Sequence, residues 1–159
     1  MGYFVVVLPV ERMRVGDEFP VGTWPLHLTV IPPFRAPADA DEVAAVLTDA
    51  SAEASALPVR LGADAMFGRR HDVPVRLVED PDGVEMALHV HLLDALVRVA
   101  VRPDALDHVG AGHRPHITHQ PDARTEQGDR LVLRQLALVD MRPPGGGRRV
   151  AWVRDLPER

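Results

Sequence analysis

Apolar positions along this chain fall into two rhythms, and the switch between them marks out the secondary structure. Tyr3 to Pro9 is an uninterrupted apolar run centred on Val5, Val6 and Val7, which predicts a buried strand. Residues 10–25 hold Pro20, Gly22 and Pro25 and read as a loop, after which Leu26 to Ile31 alternates and predicts a second strand stopped by Pro32-Pro33. Asp39 or Asp41 is placed to cap a helix running to about Ser55, with Val43, Val46 and Leu47 on its apolar face. Leu57 to Phe67 and Val73 to Val78 are strand-like around the polar turn Gly68 to Asp72. Beyond the Pro81-Asp82-Gly83 turn, Leu88, Leu92, Leu96 and Val99 recur at helical spacing and predict a second helix to about Val101. A polar loop is expected over 102–112, a short strand over Pro115 to His119, and strands over Leu131 to Met141 and Arg148 to Leu156, separated by the flexible stretch 143–147.

The resulting order, ββαββαβββ, suggests two β-α-β-like halves with one helix each, joined near residues 67–73. Strands that follow one another without an intervening helix pair as neighbours, so the expectation is an antiparallel α+β protein. At 159 residues the chain has the size of one domain, 1–159, with enough apolar residues for a core.

Composition narrows the chemistry. The net charge of −5 argues against a protein that coats long nucleic acid. There is no cysteine, which removes disulfides, thiolate catalysis and cysteine-ligated zinc. All 18 basic residues are arginine, so lysine nucleophiles are absent as well. The N-terminal run has neither a basic leader nor a small-residue cleavage site, and no apolar run reaches the roughly 18 residues of a membrane span, so a cytoplasmic location is expected. Eight histidines, the carboxylates and the hydroxyls remain.

Two of those histidines stand in matching contexts, Trp24-Pro25-Leu26-His27-Leu28-Thr29-Val30 and His113-Arg114-Pro115-His116-Ile117-Thr118-His119. On a strand, residues two apart share a face, so His27 projects with Thr29 and His116 with Thr118, while Leu28 and Ile117 point to the core. Each motif offers an imidazole beside a hydroxyl on rigid backbone. Phosphodiester displacement needs a base for the attacking oxygen and an acid for the leaving one. Two histidines with pKa values straddling neutrality supply both, with Thr29 and Thr118 hydrogen-bonding the non-bridging oxygens and no metal or cofactor required.

With these motifs about ninety residues apart, an opening strand ending in Leu8-Pro9 and Arg114-Pro115 leading into His116, the chain resembles the 2H phosphoesterase superfamily, in particular its 2′-5′ RNA ligase-like and cyclic phosphodiesterase-like branch. His119 and Gln120-Pro121 stand where that pattern has a hydrophobic residue and, in RNA-processing members, a basic one. The resemblance implies a bilobal, pseudo-two-fold α+β fold with antiparallel sheets lining a central cleft and helices outside. It implies cleavage of 2′,3′-cyclic phosphates or 2′-5′ phosphodiesters of nucleotides or RNA ends, with His116 activating water and His27 protonating the leaving hydroxyl. Ligation, the reverse reaction, would use the same residues. The alternatives are a 2H enzyme for another small cyclic phosphate or a signalling oligonucleotide, and a non-catalytic nucleotide- or RNA-binding module. The expected state is a monomer without an obligate protein partner.

Other residues admit competing readings. Trp24, Phe34 and Phe67 are candidates to stack a base at the cleft rim, against the alternative of core packing. Arg114 shares the face of His116 and Thr118 and is the expected phosphate contact; Arg35 is a weaker version of the same idea, and Arg69, Arg70, His71, Arg148 and Arg149 read as solvated loop charges. His113, His116 and His119 imitate a metal triplet, but three-residue spacing on a strand sends His116 away from its neighbours. His89 and His91 diverge on the second helix and read as surface or boundary residues.

Overall fold

The computed structural model describes residues 1–104 and 108–158. Its strands are β1 (Gly2–Pro9), β2 (Glu18–Phe19), β3 (His27–Ala36), β4 (Leu57–Phe67), β5 (Val73–Glu79), β6 (Arg102–Pro103), β7 (His116–Thr118), β8 (Arg130–Leu133), β9 (Gln135–Asp140) and β10 (Arg148–Asp155); the helices are α1 (Ala40–Ala50) and α2 (Val84–Val97). One curled antiparallel sheet runs in the order β2-β10-β9-β1-β3-β7-β5-β4-β8, with β6 on the side of β3. The two helices pack against each other over one face of this sheet, which makes an α+β half-barrel.

The halves are divided differently from the expected junction at 67–73. β4 and β5 form a hairpin within one half, and the seam runs between β3 and β7 instead. The apolar run 131–141 is also not one strand. Arg134 breaks it, sending β8 to β4 at one end of the sheet and β9 to β1 in the other half. β1 is buried on both faces, which explains its unbroken apolar run: Phe4, Val6 and Leu8 join the main core under the helices, while Val5 and Val7 join a smaller cluster with Met13, Ala137, Val139 and Val150.

Pro32-Pro33 does not end β3. The ladder to β1 slips between Phe4↔Phe34 and Val6↔Ile31, so β3 has one more residue there than its partner. A bulge of this kind tolerates residues that lack an N–H, and the strand runs on to Ala36. A second slip, between Val6↔Ile31 and Val7↔Thr29, leaves Val30 without a partner on β1.

Asp39 caps α1, its side chain accepting from the Glu42 N–H at 3.0 Å. Gly83 at the start of α2 has no side chain to cap with, and Asp80 accepts from the N–H groups of Glu85 and Met86 instead. α2 stops at Val97, earlier than expected. Ala100 adopts a left-handed φ of 64°, and the Val101 N–H turns back to the Leu96 carbonyl, a closure that leaves Val99 outside the helix. Part of the loop expected over 102–112, namely 105–107, lies outside the described residues. Among the described residues no helix is long and apolar enough to cross a membrane.

Candidate active site

The site is built on the seam. Leu28 of β3 lies opposite Ile117 of β7, both fully buried. One step either way along this antiparallel ladder sets His27 across from Thr118 and Thr29 across from His116. All four side chains therefore rise from the same face, opposite to Leu28 and Ile117, and the two histidines are diagonal neighbours about 7 Å apart at Cβ. A pseudo-two-fold axis passes between Leu28 and Ile117. The expected pairing of each histidine with its own threonine becomes, in the fold, a crossed arrangement in which each also meets the other motif's threonine.

The rings are held alike. Nδ1 of His27 lies 2.8 Å from the Pro25 carbonyl oxygen, and Nδ1 of His116 lies 2.7 Å from that of Arg114. A carbonyl only accepts, so Nδ1 carries the hydrogen in both rings and Nε2 is the atom that gains or loses a proton. The proline preceding each histidine by one or two positions keeps the lead-in extended, which puts the i−2 carbonyl within reach of the ring. Burial pulls both pKa values below the ordinary 6.5 against the pull of these carbonyls. His116 adds to the lowering at His27, and His113, His108 and Arg114 add to it at His116. The expectation that the two values straddle neutrality is thus corrected: both lie on the acid side of 6.5.

Each histidine has an aromatic neighbour and an arginine from its own half. Trp24 lies 5.0 Å from the His27 ring and packs on Phe19, with Arg148 over its face at 6.0 Å. Phe67 meets the His116 ring edge-on at 4.5 Å, with Arg114 over its face at 5.2 Å. A cleft of about 350 Å³ opens on the His116 side of the seam, lined by Thr29, Met66, Phe67, His71, His108, Arg114 and His116 among others, while Trp24 lines a separate hollow beside Phe19 and Leu26.

Of the residues named from sequence, His27, Thr29, His116, Thr118, Trp24 and Arg114 come together. Phe34 does not. It is fully buried and packs 6.0 Å from Phe4, because β3 runs on through Pro32-Pro33 and Phe34, an even number of residues from Leu28 with two cancelling slips between them, lies on the same core face. Arg35 lies eight residues along β3 from His27, paired with Asp104 and stacked on Tyr3. The triplet His113, His116 and His119 diverges: His113 turns to Glu85, while His119 sits 4.0 Å from Asp64. His89, expected at the surface or boundary of the helix, is fully buried, since Glu85, Leu88, His89, Leu92 and Leu96 form the inward stripe of α2. His71, read as a solvated loop charge, lines the cleft instead, and His108 beside it was missed, because a loop residue far from the motifs' strands carries no periodic signal. Gln120 also has a role that its position hid: its side-chain oxygen accepts the Trp24 N–H at 2.8 Å, tying the exit of the second motif to the entry of the first.

Three solved structures illustrate the likeness. A protein described as a phosphoesterase superposes with a TM-score of 0.63 at 15% identity, over 99% of this chain and 100% of the other. E. coli LigT, in a complex with NADP+, gives 0.60 at 16% identity over 99% and 98%. TT0787 of Thermus thermophilus gives 0.59 at 17% identity over 100% of both chains. LigT has also been solved with 3′-AMP, with phosphate and with ATP. No curated protein matches. The sequence pattern of the 2′-5′ RNA ligase superfamily matches residues 6–143, motifs and seam included, and the chain accordingly belongs to that superfamily, within the 2H phosphoesterases.

Proposed function

We propose that this chain is a metal-independent phosphodiesterase that hydrolyses 2′,3′-cyclic phosphate or 2′-5′ phosphodiester bonds of nucleotides or RNA ends. The observation that carries this is the pair of rings with Nδ1 tied to carbonyls, which dedicates both Nε2 atoms to proton transfer on one face of the sheet. Neutral His116 takes a proton from water as its oxygen bonds to phosphorus. His27, entering protonated, gives its Nε2 proton to the departing ribose oxygen as the P–O bond breaks, and turnover exchanges the two protons with solvent. Thr29 and Thr118 donate hydrogen bonds to the non-bridging oxygens, where negative charge grows in the transition state. Arg114, above Phe67 at the cleft, contributes a fork-shaped donor to the phosphate. Phe67 and Trp24 offer faces for a base, and the nucleotides bound by LigT support that substrate class. A substrate phosphate beside the rings favours their protonated forms, so one of two weakly basic histidines is charged once substrate is bound. We propose further that the enzyme works as a cytoplasmic monomer.

The test is turnover of 2′,3′-cyclic nucleotides and 2′-5′-linked dinucleotides in EDTA, for the wild type, His27→Ala and His116→Ala. Turnover that survives chelation and vanishes in either variant is the expected result. Binding without turnover would favour a non-catalytic module, and chelation-sensitive turnover would replace the two-histidine mechanism with a metal-dependent one.

A further inference from the structure

Behind the second motif lies a polar cluster that the proton-transfer scheme does not use. Glu85, His89 and His113 are all buried, although the surrounding core is apolar. The Gly110 N–H donates to Nε2 of His89 at 2.9 Å, so that nitrogen carries no hydrogen. The proton is therefore on Nδ1, which donates to the Val30 carbonyl at 2.6 Å. Burial favours the same neutral form. His113 stacks on this ring, centroids 3.9 Å apart and planes within 3°, and its Nε2 lies 2.7 and 3.0 Å from the two carboxylate oxygens of Glu85.

The partners of His89 give the cluster its meaning. Val30 follows Thr29 and is the residue that the second bulge leaves without a partner on β1. Gly110 opens the segment that runs through His113 and Arg114 to His116. One side chain thus spans from the first motif's strand to the second motif's loop. Along that loop, the His113 N–H reaches the Gly110 carbonyl, the Pro115 carbonyl accepts from Val78, and the Arg114 carbonyl holds the His116 ring.

We propose that His89, with His113 and Glu85 stacked behind it, is a positioning unit that clamps the 110–116 segment to the bulge in β3 and so sets the reach of His116 toward the phosphate it shares with His27. The unit touches no reacting atom. It rests on the reading of His27 and His116 as the acid–base pair, but its test does not require that substrates be known.

Imidazole resonances of His116 and His27, assigned by loss in His116→Ala and His27→Ala, would be titrated by NMR in the wild type, His89→Gln, His89→Asn and His89→Leu. The charged or titratable groups facing His116 are His27 from β3, His71 from the β4–β5 turn, and His108, His113 and Arg114 from its own loop. None of these is altered by the substitutions. Glutamine can accept from Gly110 and donate to Val30 together, so its His116 midpoint stays at the wild-type value. Leucine can do neither. The freed loop admits water, and the midpoint of His116 rises toward 6.5, while that of His27 moves less. Asparagine is polar but too short to span both partners, follows leucine, and serves if leucine prevents folding. With a turned-over substrate, leucine or asparagine lowers kcat roughly 10- to 100-fold with KM within about threefold, and glutamine restores it. Adding Glu85→Gln to His89→Leu costs little beyond the larger single loss, because both release the same loop. A folded leucine or asparagine variant with unmoved His116 midpoint, or a glutamine variant as damaged as leucine, would overturn the proposal. An inactive wild type with these NMR shifts intact would instead count against the phosphodiesterase reading alone.

Discussion

Replacing His116 by asparagine separates catalysis from folding. In the native ring, Nδ1–H donates to the Arg114 carbonyl at 2.7 Å, and Nε2 is the atom that titrates. The asparagine amide occupies the region of Nδ1 and keeps that hydrogen bond, but it ends before Nε2 and neither accepts nor releases a proton near pH 7. The folding loss is then confined to ring packing, chiefly the edge-on contact with Phe67 at 4.5 Å, worth about 0.5–1.5 kcal/mol. The catalytic loss is that of one proton-transfer partner, about 10²- to 10⁴-fold in rate, or roughly 3–5 kcal/mol of transition-state stabilisation. The assay is kcat/KM against pH on a 2′,3′-cyclic nucleotide, beside urea unfolding of the same samples. Because burial lowers both histidines, the wild-type bell peaks below pH 6.5. His116→Asn keeps only one limb, at a rate at least about a hundredfold lower, with the unfolding midpoint little changed. A variant with both limbs intact, or within about tenfold of wild type, would refute the assignment of proton transfer to His116.

The lowered pKa values of His27, His89, His116 and His119 also make stability depend on pH: between the unfolded value of 6.5 and the lower folded values the unfolded chain binds more protons, so their contribution is full above pH 6.5 and falls as pH drops through that window, while Glu85, its pKa raised by burial, acts in the opposite sense. Urea midpoints measured from pH 8 to pH 5 should be flat above 6.5 and decline below it, and His89→Gln should make the decline shallower. Leu28→Ala removes a fully buried side chain at the seam opposite Ile117 and should cost about 2–5 kcal/mol in urea unfolding. Arg76 is buried and donates to the carbonyls of Gly62 and Thr125, so Arg76→Met should cost about 2–3 kcal/mol through those unpaired carbonyls. Asp64, 72% exposed, should add little to that figure, and Asp64→Asn measured alongside it should be nearly neutral.

Local rules carried much of this fold. The apolar run of β1, the alternation of β3, the acidic cap of α1 and the 3.6-residue stripe of α2 are short-range patterns, each set by which face of one element is buried. The same period-two rule puts His27 with Thr29, and His116 with Thr118, on common faces from the order of residues alone, which is why the four central residues were legible. What depends on register was not legible. The continuation of β3 through Pro32-Pro33 carries Phe34 into the core, the break at Arg134 sends β8 and β9 to opposite halves of the sheet, and Leu28↔Ile117 alone decides that the two histidines meet on a diagonal. His89 read as a surface or boundary residue because its partners, Val30 and Gly110, are 59 and 21 positions away and offer backbone atoms that have no signature in the sequence. Side-chain chemistry and local periodicity are written residue by residue; hydrogen bonds to backbone and pairings between distant strands arise only when the chain closes on itself, and tertiary structure alone decided them.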